Sequence, residues 1–111
     1  MQAVIGVSTG DVHEPAANTA AVVTYAADAS RGHVITGIAW SYSAAPTGGS
    51  LKVENGAGST VFSVSVTAAG PGEYIFPVPK LGSVNTAMII TLAAGGASVT
   101  GKVSVLNHWL N

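Results

Sequence analysis

Asp11, His13 and Glu14 sit within four residues of one another, and carboxylate and imidazole are side chains that hold divalent cations. Just upstream, Gly6-Val7-Ser8-Thr9-Gly10 fits G-x-S-x-G, the pattern that presents a nucleophilic serine on a sharp turn. Neither cluster has the frame its chemistry needs. The serine motif works on a strand–turn–helix at the head of a parallel sheet, and no helical spacing follows Gly10. The D-x-H-E run lacks the spacing of the zinc-binding helices, so a loop ahead of Pro15 would have to fold around the ion. His33 and His108 have no acid or nucleophile beside them in the chain and read as surface or rim histidines rather than bases.

Gly48-Gly49 and Gly95-Gly96 precede neither a helix start nor a Lys-Ser/Thr pair, so they are not phosphate cradles and read as hairpin turns. Asn18, Asn55 and Asn85 are each followed two residues later by Ala, which rules out a glycosylation sequon at them. The expectation is a non-enzyme with no catalytic residue, metal or cofactor. The aromatic residues are the other candidates for a function. Trp40 reads as a core residue of a central strand. Tyr42 and Trp109 are candidate subunit-contact anchors, although a docked C-terminal tail would equally account for Trp109. A sugar-binding platform would have to be built from Tyr42, Tyr74 and Trp109.

The elements that position these residues alternate with period two almost throughout. Asn18–Asp28 puts Val23 and Tyr25 on one face and Val22 and Thr24 on the other. In His33–Ala44, Val34, Ile38, Trp40 and Tyr42 share a face opposite Ile35, Gly37, Ala39 and Ser41, a face small enough to lie under a second sheet or a neighbouring chain. Leu51 and Val53 alternate with Lys52 and Glu54; Asn55–Ser59 turns the chain; Phe62, Val64 and Val66 alternate with Ser63 and Ser65. After a breaker at Ala68–Gly72, Glu73–Val78 is a short strand, and Pro77 places it at an edge. Thr86–Ala93 and Ala97–Leu106 flank Gly95-Gly96 as a hairpin. Seven to eight short strands with little or no helix predict an all-β fold, a single antiparallel sandwich of jelly-roll or immunoglobulin-like type. Residues 1–17 are expected to be an irregular arm or loop, with Met1–Val7 as strand or arm and Ser8–Ala17 as loop, and residues 18–111 to form the sandwich.

Composition limits how such a sandwich can live. The 111 residues suit one domain, and with no cysteine the fold has neither disulfides nor a thiolate metal site. Charged residues are 8% of the chain, against about 25% in ordinary soluble domains. Arg31, Lys52, Lys80 and Lys102 are scattered singly, which argues against nucleic acid as a partner. The long uncharged span Leu81–Gly101 holds Asn85, several Ser and Thr and a Gly pair, and it does not read as a membrane crossing; no signal peptide is visible either. A surface with so little charge repulsion favours association.

The phrases HVITGIAWSYSAAPTGGSLKVENG, VFSVSVTAAGPGEYIFP and VNTAMIITLAAGGASVTGKVSVLNHW, between Gly32 and Trp109, resemble small β-sandwich virion proteins of tailed bacteriophages. The resemblance implies a capsid decoration or cement protein, often a homotrimer, that binds the major capsid protein on the surface of the virion after synthesis in the host cytoplasm. Under that reading Val4, Ile5 and Val7 belong to an arm that meets the shell, and Tyr42 and Trp109 lie at subunit contacts. The alternatives are a tail, neck or fibre-associated sandwich and a carbohydrate- or cell-surface-binding module.

Overall fold

Alternating segments that each carry one apolar face must pair edge to edge and then close face to face. The computed structural model, which describes residues 11–111, shows how this chain does so. Its strands are β1 (Val12–His13), β2 (Ala21–Tyr25), β3 (His33–Tyr42), β4 (Gly49–Asn55), β5 (Thr60–Val66), β6 (Gly70–Leu81), β7 (Met88–Leu92) and β8 (Gly101–Leu110). There is no helix among the described residues.

The pairing is nested. β4 and β5 form the innermost hairpin, β3 pairs with β6, β2 with β7 and β1 with β8, all antiparallel. Pairing of β3 with β8 and of β4 with β7 then joins these ribbons into two four-stranded sheets, β1-β8-β3-β6 and β2-β7-β4-β5. A long hairpin rolled up in this way is a jelly roll. The immunoglobulin-like alternative is set aside by the strand order, since its sheets hold other consecutive strands side by side. Here β4 and β5 are the consecutive strands that pair.

The inner hairpin turns where the sequence predicts. Gly56 and Gly58 take φ of +85° and +84°, which side chains resist, and the Asn55 N–H donates to the Ser59 carbonyl at 2.9 Å. Glu54 holds this turn, accepting the Gly58 N–H at 2.9 Å, and lies 3.6 Å from Lys52 Nζ. The other two glycine pairs do different work. Gly48-Gly49 and Gly95-Gly96, expected in hairpins, belong to crossings between the two sheets, Gly48 and Gly95-Gly96 within the connections and Gly49 as the first residue of β4. At Gly95 the requirement is closeness: an added Cβ would lie 2.6 Å from Val99 Cγ1 and 2.9 Å from the Tyr42 ring.

Three further differences from the expected elements have local causes. A register shift between Ile35 and Gly37 breaks the alternation of β3, so Ile35 and Ile38 both enter the core while Val34 is buried outside it. β6 runs from Gly70 to Leu81, so Pro71 and Gly72 lie inside a strand rather than in a breaker; it is an edge strand, as Pro77 implied. Val12 and His13, within the stretch expected as loop, form β1 against Ser104 and Val103. The core between the sheets includes Ile35, Ile38, Tyr42, Phe76 and Val103 on one side, and Val23, Leu51, Val53, Met88 and Ile90 on the other.

Candidate contact surface and a histidine pair

The side chains that first suggested chemistry each meet a different group in the fold. His13 Nδ1 accepts the Val22 N–H at 2.9 Å, Asp11 Oδ2 accepts the Tyr25 hydroxyl at 2.6 Å, and Glu14 lies 3.9 Å from Lys102 Nζ. Among the described residues no group of three His, Cys, Asp or Glu side chains is placed to hold a metal ion. Ser8 and the rest of its motif lie outside the described residues.

The fold does assemble one polar cluster that the sequence does not announce. His33, at the start of β3, and His108, near the end of β8, are brought together with Nδ1 of the first 2.8 Å from Nε2 of the second. His33 Nε2 lies 2.7 Å from the Ala26 carbonyl, which can only accept, so this nitrogen carries hydrogen. In the neutral pair His33 Nδ1 therefore accepts from His108 Nε2–H. The His108 ring also stacks on Tyr25, with centroids 3.7 Å apart and planes 4° apart. Burial, and then the like charge of His33, push the His108 imidazole down to about 4, against a smaller opposing pull from Asp11. A ring held neutral and stacked in this way ties β2, β3 and β8 together at one end of the sandwich. The signal was not in local spacing, because the two histidines meet only once β3 and β8 are known to be neighbours.

The candidate contact residues divide by location. Tyr42, expected as a subunit-contact anchor, is instead part of the core at 2% exposure, and its hydroxyl donates to the Ala93 carbonyl at 2.5 Å. The alternation that put Tyr42 on the face of Ile38 already pointed inward. Trp109 lies within β8 opposite Val34 and is half-buried, so the tail is docked. Trp40 is half-buried against the core, with its ring over Gly72. Val4, Ile5 and Val7 lie outside the described residues. With Tyr42 interior, the three aromatics proposed for a sugar platform do not share a surface.

The fold leaves several large apolar side chains outside. Ile75, Val78, Leu81 and Val84 are 56%, 74%, 60% and 59% exposed, all on β6 or the loop after it. Between residues 70 and 85 the charged side chains are Glu73 and Lys80. Tyr74 is also exposed; it packs on Phe62 and Phe76 and joins the two sheets at this side of the sandwich. The small-residue face of β3 lies on the outside of its sheet. Gly37 is overlain by Ile75 and Leu106, whose Cδ1 atoms would stand 2.8 and 3.3 Å from an added Cβ. Ala39 lies between Glu73 and Ser104. Sequence reading flagged this small face and missed the exposed apolar side chains on β6 and the loop after it.

No family profile matches the chain, and neither does any curated protein. Among solved structures, it is similar to a carbohydrate-binding module, CBM36, in complex with calcium and xylotriose: 18% identity, 88% of this chain and 78% of that one, TM-score 0.37. It is also similar to the extra small virus (XSV) VLP of the giant freshwater prawn Macrobrachium rosenbergii: 13% identity, 96% and 81% coverage, TM-score 0.40.

Proposed function

We propose that the chain is a structural virion protein of a tailed bacteriophage, a capsid decoration or cement protein on the outer surface of the head. It binds the major capsid protein and stabilises contacts between capsid subunits, as a homo-oligomer. Neither nucleic acid, membrane nor cofactor has a part in this role. The observation that carries the reading is the group of exposed apolar side chains Ile75, Val78, Leu81 and Val84 on β6 and the loop after it, apolar area suited to being covered. Burying it contributes about 25 cal/mol per Å² of apolar area before association costs. A net charge of −1 also lets many copies crowd a shell with little mutual repulsion.

Cryo-electron microscopy of the virion tests this directly: the chain is expected on the head exterior in hundreds of copies. Its absence there, or a count of about a dozen at the tail, overturns the reading. The double variant Ile75→Asp/Val78→Asp is expected to bind undecorated heads at least about tenfold more weakly, equivalent to about 1.4 kcal/mol. Its thermal unfolding should stay close to that of the parent chain, because both side chains are already exposed.

A further inference from the structure

Sandwiches built from open sheets must manage four edges, because an unpaired strand offers its backbone N–H and C=O groups to any passing strand. Three of the four edges here are blunted. β1 is two residues long. β2 has its free Val22 N–H taken by His13. β6 carries Pro71, Pro77 and Pro79, which lack N–H groups, together with Glu73, Lys80 and the register shift opposite Ile35 and Gly37. The fourth edge, β5, has a single such device, a register shift at Val61, where Val53 faces Phe62 and Glu54 faces Thr60. Its sequence Thr-Val-Phe-Ser-Val-Ser-Val has no proline, glycine or charge, and from Phe62 to Val66 it pairs with β4 in unbroken register. No other strand pairs with it among the described residues.

From this contrast we infer that β5 is an interface between copies of this chain, pairing antiparallel with β5 of a second copy about a two-fold axis at Ser63. The strand is self-complementary about its central residue. Pairing centred on Ser63 sets Phe62 opposite Val64 of the second copy and Ser63 opposite itself. Phe62 and Val64 lie on the inner face, opposite Val53 and Leu51, so their apolar layer continues across the junction. Val64, 37% exposed in the single chain, is covered. Ser63 and Ser65 are on the outer face, where hydroxyls can face one another. A two-fold contact places every charge close to its own copy, and β5 has no charge to be repelled. Two four-stranded sheets become one eight-stranded sheet. This inference rests on the edge itself and holds whether or not the chain decorates a capsid.

The full-length chain is expected to run as a dimer, or a multiple of one, in light scattering and sedimentation from micromolar to millimolar concentration. Ser63→Lys, which sets two ammonium groups at the axis on an exposed position, should return it to half that mass with the far-ultraviolet spectrum and melting temperature retained. Ser63→Cys gives the chain its one cysteine. Opposed Cα atoms in antiparallel strands are about 4.5–5.5 Å apart, within disulfide range. Oxidised glutathione should therefore convert this variant to a covalent dimer, while Thr24→Cys, on exposed β2, should not follow. A native monomer throughout the concentration range overturns the inference. So does a trimer or other oligomer that Ser63→Lys leaves intact, or equal cross-linking of the two cysteine variants. Monomers that still decorate heads would overturn the β5 interface and leave the proposed function standing.

Discussion

Tyr42→Ala is expected to cost the fold about 3–5 kcal/mol, the range for deleting a buried aromatic side chain, and to leave part of the population unfolded at room temperature. The ring is 2% exposed and touches both layers of the sandwich. Ring carbons of Tyr42 would lie 2.9 Å from a Cβ added at Gly95 and 3.2 Å from one added at Gly101, and its hydroxyl would lie 2.9 Å from one added at Gly49. Those glycines leave room for the ring and cannot fill the space once it is gone. Tyr42→Phe separates ring from hydroxyl: losing the bond to the Ala93 carbonyl is expected to cost about 1 kcal/mol. Burial also raises the Tyr42 phenol above its ordinary value of 10.0. Its contribution is therefore fully present below pH 10 and lost as the pH rises further, since the unfolded chain ionises first. Urea unfolding as a function of pH checks all three statements. An alanine variant as stable as the parent, or an alkaline loss unchanged in Tyr42→Phe, would contradict this account of the ring.

The same tyrosine shows where sequence reading succeeds and where it stops. Period two placed Tyr42 with Ile38 and Trp40, and each of them packs against or within the core. Strand existence and facing were legible for β2, β4 and β5 for the same reason: an antiparallel sheet with one wet face writes its faces into the residues. Pairing is a long-range property and left no such mark. Gly95-Gly96 has the composition of a tight hairpin, yet Ala93 to Thr100 is a crossover, because Gly95 is needed to pass close to Tyr42. The shift at Ile35 and Gly37 was hidden because one extra residue in a strand changes no composition. His33 and His108 looked isolated at a separation of 75 residues; strand order alone makes them neighbours. The bareness of β5 was in plain view as a clean alternation, but it gained meaning only once β5 was known to be an edge.

Acidification from pH 6.5 to 4 is expected to lower stability by about 1–2 kcal/mol through His108 alone. In the unfolded chain His108 takes up a proton as the pH falls through its ordinary 6.5; in the folded chain it stays neutral until about 4. Between those values the unfolded state binds more protons, so stability is fully present above pH 6.5 and declines as the pH falls. At about 1.4 kcal/mol per pH unit the whole interval corresponds to about 3 kcal/mol. Solvent reaching this half-buried ring screens the effect to the smaller figure. Geometry sets what happens at the end of that window. With His33 Nε2–H committed to Ala26, the facing nitrogens have room for a single hydrogen between them. A cationic His108 meets His33 at that contact, with the Asp11 carboxylate as the opposing charge and Tyr25 stacked on its ring. The loosened strands would be β2, β3 and β8, at the end of the sandwich where Asp11 enters. His108→Gln keeps a donor toward His33 Nδ1 and removes the titration, so its stability should change less between pH 6.5 and 4 than that of the parent. Following the His108 ring protons by NMR gives the microscopic check: a titration midpoint near 4 is expected, and one near 6.5 would show that the pair does not hold the ring neutral.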